Sequence, residues 1–155
     1  MKDRGLPMLT QTIRPSIGAA EYPALVEIWE SAVKATHDFL APADLEQIKM
    51  HLASDYFPAV ELTVAEGDDG AVGFAGTLDG GLEMLFVDAA HRGRGVGALL
   101  LDHAISEHGV TRVDVNEQNG LAVGFYEQHG FQVVGRSETD EAGRPYPLLH
   151  LRLIA

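Results

Sequence analysis

The chain contains no cysteine, which excludes a disulfide framework, a thiolate zinc site and a cysteine nucleophile together. Positive charge is scarce: 11 Lys and Arg stand against 23 Asp and Glu, a formal net charge of −12. Proteins that grip a phosphate backbone need clustered positive charge to release counterions, so no nucleic-acid partner is expected. Long apolar runs are missing as well. None exceeds the four residues Ala98-Leu99-Leu100-Leu101, against the about 20 that a membrane span requires. The start, Met1-Lys2-Asp3-Arg4-Gly5-Leu6-Pro7, mixes charge and proline where a signal peptide would be apolar. A cytoplasmic protein with no membrane partner is expected. The seven histidines show no His-Glu-x-x-His spacing, and His103 and His108, five positions apart, are expected on different helix faces. No metal is therefore expected, and no Gly-x-Ser-x-Gly elbow offers a serine nucleophile.

What is present fits one globular domain. A length of 155 residues with 46% hydrophobic and 22% charged residues gives room for a real core. Helical spacing of Leu25, Ile28, Trp29, Ala32 and Val33 predicts a helix from Glu21 to Lys34, and Leu45, Ile48 and Leu52 predict another over Pro42–Ala53. A short strand at Ile13–Pro15 precedes them. Alternation then takes over: Val60, Leu62 and Val64, then Val72 to Leu78, then Leu82 to Val87, separated by turns at Gly67–Gly70 and Gly80–Gly81, predict an antiparallel meander. A helix from Gly95 to Glu107, with Leu99, Leu100 and Ala104 inward, leads to a strand at Val110–Val115. A helix at Gly120–His129 and strands at Phe131–Gly135 and Leu148–Leu153 complete an α+β fold. Its mixed sheet of about seven strands carries helices on both faces.

The most informative segment runs from Phe86 to Leu99, where a strand ends, Gly93, Gly95 and Gly97 alternate with Arg94 and Val96, and a helix begins. Glycines there let N–H groups turn outward and a ligand come close, and a helix start favours an anion. Arg92 and Arg94 add full charges, each charge-assisted hydrogen bond being worth roughly 1.5–3 kcal/mol. A pyrophosphate cradle is one reading; a flexible surface loop with solvated arginines is the other. The P-loop pattern is excluded because no Gly-Lys-Ser/Thr follows. A dinucleotide fingerprint fits Gly93-x-Gly95-x-x-Ala98 superficially, but Asp88 to Arg92 intervene between strand and first glycine.

Arg92-x-x-Gly95-x-Gly97 after a strand and opening a helix resembles the acetyl-coenzyme A signature of the GNAT N-acetyltransferases. The element order agrees, and Asn119-x-x-Ala122-x-x-x-Tyr126 followed by Gly130-Phe131 is similar to the family's second signature. Ala35–Leu40, Val115–Asn119 and Arg144–Leu149 further resemble its YjaB-type subgroup. The resemblance covers Ile13 to Leu153. A flexible extension is expected over 1–11; the resemblance implies a single N-acetyltransferase domain over 12–155 and a parallel strand pair that splays apart to admit pantetheine. Backbone groups of Leu85, Phe86 and Val87 would then hold pantetheine, Arg92, Gly93, Arg94, Gly95, Val96 and Gly97 the pyrophosphate, and Asn119 the cofactor arm. Tyr126 would protonate or stabilise the departing thiolate, a task suited to a neutral phenol donor. The implied reaction is direct transfer of acetyl from acetyl-coenzyme A to an amine on a small molecule or peptide. A non-catalytic acyl-coenzyme A sensing module is the alternative.

Each position also has a plainer explanation. Asn119 is a good helix N-cap and can serve both roles. Tyr126, near the inward face with Leu121, Ala122 and Phe125, can be a core aromatic. An amine with pKa near 10.4 lies about three units above neutral pH, so deprotonation costs roughly 4 kcal/mol and calls for a proton acceptor. Glu83, on the strand leading to Leu85–Val87, is one candidate and otherwise a solvated strand residue. The pair His37-Asp38 is the other, at a helix end bordering the substrate pocket. Tyr146, between prolines, lines that pocket or stiffens its loop.

Overall fold

The structure is a computed structural model describing residues 12–154; the extension expected over 1–11 lies outside them. In chain order the elements are β1 (Thr12–Pro15), α1 (Tyr22–Thr36), α2 (Pro42–His51), β2 (Glu61–Gly67), β3 (Gly70–Leu78), β4 (Gly81–Val87) and α3 (Val96–His108). Then follow β5 (Arg112–Asn116), α4 (Gly120–Gln128), β6 (Phe131–Ser137) and β7 (Leu148–Leu153). The seven strands form one sheet in the order β1-β2-β3-β4-β5-β7-β6. Every neighbouring pair is antiparallel except β4 and β5.

The two sheet faces carry separate apolar clusters. On one, Leu25, Ile28, Trp29 and Val33 of α1 pack with Leu45 and Leu52 against Val64 and Phe74. On the other, Val96, Leu100, Leu101 and Ala104 of α3 and Tyr126 of α4 pack against Ala65, Ala75, Val113 and Val115. Leu99, expected inward, is 39% exposed, because the α3 stripe is centred on Val96, Leu100 and Ala104 and broadens toward Leu101. Leu121 likewise turns outward, 70% exposed in the first turn of α4. The rings of His103 and His108, expected apart, lie 5.4 Å from each other. His108 is the last residue of α3, beside left-handed Gly109, so the helical wheel no longer fixes its side chain.

Gly73 sets how closely α3 approaches the sheet. A Cβ there would lie 3.0 Å from the Phe86 carbonyl oxygen, 3.1 Å from Val96 and 3.2 Å from Leu100, so only glycine lets the first turn of α3 rest on β3. The β3–β4 hairpin turns at Asp79 and Gly80, both at positive φ, the geometry of a type I′ turn; Gly81, expected in the turn, begins β4.

A second irregularity matters more. Thr77 of β3 pairs with Leu82 and Gly76 with Met84, so Glu83 has no partner and forms a β-bulge. Parallel pairing of β4 with β5 is confined to Gly81–Arg112 and Leu82–Val113. The ladder therefore stops at the bulge, and beyond it the two strands diverge.

Candidate active site

The divergence opens a cleft of about 500 Å³ between β4 and β5, floored by Leu85, Phe86 and Val87 and closed on the far side by Val113, Val115 and α4. Past Glu83, the β5-facing edge of β4 has no strand partner, which leaves unspent main-chain groups along the opening. The parallel, splayed pair expected from the resemblance is present, and the three β4 residues expected to hold pantetheine line it.

The glycine loop forms the mouth. Asp88 starts a single 3-10 turn over Ala89–His91 and accepts hydrogen bonds from the Ala90 N–H at 3.3 Å and from Ser31 Oγ at 2.8 Å. Ser31 Oγ in turn accepts from the Ala89 N–H at 3.0 Å, so α1 anchors the loop. Gly93 and Gly95 adopt φ of +77° and +83°, and no heavy atom lies within 4 Å of where a Cβ would sit. Gly95 caps α3, whose first intrahelical bond is Leu99 N–H to the Gly95 carbonyl at 3.0 Å. The N–H groups of Val96, Gly97 and Ala98 are left to face a ligand. An open cradle of amide donors, with Arg92 beside it in the cleft lining, fits the diphosphate of coenzyme A. Arg94 projects outside that lining.

Tyr126, Glu83 and Asn119 all reach the same cleft. Tyr126 is 6% exposed, with its ring against Phe125 and Phe131 at centroid distances of 5.2 and 5.7 Å. It is thus both core aromatic and cleft residue. Burial pushes its phenol well above the ordinary value. Asn119 caps α4, its Oδ1 accepting from the Ala122 N–H at 3.2 Å, which leaves its amide donors for the cleft. Glu83 is exposed, yet partial desolvation, followed by the charges of Glu141 and Asp114, raises its carboxyl pKa, with Arg112 opposing. Glu83 stands where the β4–β5 ladder ends, with Oε2 lying over Gly81 on the side of the Arg112 guanidinium.

A second pocket of about 180 Å³ adjoins the cleft, sharing His37, Phe86 and Asn116 with it. His37 ends α1. Thr36 Oγ1 stands 2.8 Å from the Ala32 carbonyl oxygen and 2.7 Å from His37 Nδ1, which fixes the imidazole at the end of α1. Burial lowers the His37 pKa, and Asp38 partly offsets this. Tyr146 also lines the second pocket. Its hydroxyl donates to Asp44 Oδ2 and accepts from the Ala41 N–H at 3.0 Å. It both lines and stiffens.

Ser31, Thr36, Phe125 and His91 were not singled out by the sequence. Ser31 and Thr36 act through contacts made only after folding, and neither belongs to a spaced motif. Phe125 is the residue a Cβ on Gly97 would meet, at 3.5 Å. His91 stands next to Arg92, so adjacency to the loop was its one available signal. Among the described residues, no three His, Asp or Glu side chains gather within reach of a metal, and no helix is long and apolar enough to cross a membrane.

This geometry agrees with what the chain is similar to. The sequence profile of the acetyltransferase (GNAT) domain matches residues 58–133. The peptidyl-lysine N-acetyltransferase YjaB of Salmonella typhimurium is 45% identical over 128 residues, 82% of this chain and 88% of its own. Its Escherichia coli counterpart is 44% identical over 131 residues, 84% and 88% of the respective chains. The solution structure of apo YjaB from Escherichia coli superposes with a TM-score of 0.85 at 42% identity, covering 94% of this chain and 98% of that one. Sheet, bulge, cleft and relatives converge: the chain belongs to the GNAT acetyltransferases.

Proposed function

We propose that this protein acetylates a lysine-type primary amine with acetyl-coenzyme A as donor, by direct attack within a ternary complex. The observation that carries the proposal is the convergence of Tyr126 and Glu83 on one opening whose mouth is an amide-lined cradle. The curated relatives named above act on peptidyl-lysine, and the cationic chain of lysine suits a protein of net charge −12.

The donor supplies an activated thioester. The N–H groups of Val96, Gly97 and Ala98, with Arg92 and the outer Arg94, hold its diphosphate at Gly93–Gly97. The backbone of Leu85, Phe86 and Val87 aligns the pantetheine arm, which the Asn119 amide steadies from α4. Glu83 takes the ammonium proton. Its raised pKa makes it a better proton acceptor than an ordinary carboxylate. Tyr126 faces the leaving sulfur. A phenol shifted above its usual value of about 10 does not readily surrender its proton to a thiolate whose pKa is near 8.5, so it stabilises that thiolate by donating a hydrogen bond. His37 and Tyr146 border the substrate side.

The test is coenzyme A release with lysine-containing peptides, coupled to mass detection of the acetylated lysine. Turnover that depends on the ε-amine supports the proposal. Binding of acetyl-coenzyme A with no turnover on any amine would make the protein a sensing module instead.

A further inference from the structure

Three side chains on the neighbouring strands β5, β7 and β6 are joined end to end. Asp114 and His150 are directly opposed in the β5–β7 register, and His150 Nδ1 lies 2.7 Å from Asp114 Oδ1. On its other side the ring reaches β6, with Nε2 2.7 Å from Ser137 Oγ. The register of β6 skips Val134, which sets Gly135 opposite His150. The imidazole lies over that glycine, where a Cβ would stand 3.5 Å from Cδ2. A carboxylate only accepts hydrogen bonds, so Nδ1 carries its proton toward Asp114, and in the neutral ring Nε2 accepts from the Ser137 hydroxyl. Carboxylate, imidazole and hydroxyl joined in this order are the arrangement that activates a serine as a nucleophile. No elbow motif announces it, because the register of three strands assembles it. Acyl transfer leaves the serine and the histidine unused, and neither lines the cleft or the second pocket. Asp114 does line the cleft, but β6 lies two strands beyond β5, about 10 Å at the usual strand spacing.

We propose that Ser137, His150 and Asp114 form a second reactive site, an esterase centre that cleaves small activated carboxylic esters such as aryl acetates. The inference stands apart from the acyl-transfer reading. Ser137 Oγ bonds to the ester carbonyl carbon as its proton passes to His150 Nε2. The bond from that carbon to the alkoxy oxygen then breaks, and the oxygen keeps the electron pair and takes the proton from His150. Water repeats the sequence on the acyl-serine, releasing the carboxylic acid and restoring the hydroxyl. Asp114 holds the imidazole in its tautomer and balances the imidazolium charge. Because β6 is the outermost strand, alternate N–H groups along its free edge have no strand partner and offer donors to the oxyanion. Ser137 is partly exposed, which gives an ester access. The His150 and Asp114 side chains are 35% and 45% exposed, so water competes for their hydrogen bonds. That openness restricts the site to esters with a good leaving group and leaves amides intact.

The test treats the full chain with a fluorophosphonate probe and, separately, with p-nitrophenyl acetate. One phosphonyl adduct is expected, localised to Ser137 by peptide mass spectrometry, and its rate of formation should fall about tenfold or more in His150→Gln. Hydrolysis of p-nitrophenyl acetate should fall about tenfold or more in both Ser137→Ala and His150→Gln. Ser137→Ala should release thiol from acetyl-coenzyme A as fast as the wild type. Melting curves identify the folded variants, and the wild-type adduct is decisive even where a variant does not fold. No adduct, an adduct on another residue, or equal ester hydrolysis by wild type and Ser137→Ala overturns the proposal and leaves the three side chains a tie across β5, β7 and β6. Undiminished labelling in folded His150→Gln overturns it as well. Failure of acetyl transfer with every amine sinks the acyl-transfer reading and leaves this one intact.

Discussion

Replacing Tyr126 with Phe separates the two roles that the structure gives this side chain. The ring contacts with Phe125 and Phe131 survive the substitution, so the core keeps its volume. Among the described residues no partner hydrogen-bonds the hydroxyl, and the atom is not sealed from the cleft. Removing it costs less than the about 0.5–1.5 kcal/mol of a typical intramolecular hydrogen bond. For a chain of this size that is a melting shift of no more than about 2–4 °C. The rate should respond very differently. Loss of a positioned donor to the leaving thiolate lowers kcat by roughly 10²–10⁴-fold, about 2.7–5.4 kcal/mol of barrier, with the KM for acetyl-coenzyme A little changed. The assay is thiol release under saturating amine, beside thermal melts of both proteins. Burial raises the phenol pKa, so wild-type Tyr126 stays protonated through pH 9 and contributes no alkaline limb to the rate profile below that. A variant as fast as the wild type would leave Tyr126 a core aromatic and refute the assignment.

Three further outcomes are expected. Arg92→Ala should raise the KM for acetyl-coenzyme A about 10- to 150-fold, the equivalent of one charge-assisted hydrogen bond of about 1.5–3 kcal/mol, while Arg94→Ala, outside the cleft lining, changes it much less; calorimetry with coenzyme A checks both. Glu83 must be ionised to accept a proton, and its pKa is raised by desolvation, Glu141 and Asp114; the acid limb of kcat/KM should therefore lie above the ordinary carboxylate range, vanish in Glu83→Gln, and move to lower pH in Glu141→Gln. Glu21, 8% exposed, accepts hydrogen bonds from Arg14, Ser16 Oγ and the Ile17 N–H, and Arg14 chiefly holds its pKa below the usual value. Its stabilisation is then fully present above about pH 4.5 and lost as pH falls through the lower folded value; Glu21→Gln should flatten that acid decline in melting temperature and destabilise the protein at neutral pH by about 1–3 kcal/mol.

The elements were legible because their physical signals are local. Leu25, Ile28, Trp29 and Val33 share a helical stripe whatever they pack against, and the short turns between β2, β3 and β4 leave antiparallel pairing as the natural outcome. The glycine loop was legible too, since Gly93 and Gly95 need positive φ and their spacing fixes where α3 begins. Leu99 and Leu121 read as inward because apolarity alone does not say which edge of a stripe meets the sheet. The bulge at Glu83 left no trace in the sequence: an unmatched residue is a property of two strands in register, and Gly81–Val87, with four apolar residues in succession after Glu83, shows no break in strand pattern. The same holds for Thr36 and His37, whose contact depends on where α1 ends.

The supernumerary residue in β4 has an evolutionary corollary. Neither apolar layer includes Glu83, so the residue type at this position can change over time without costing the core a contact.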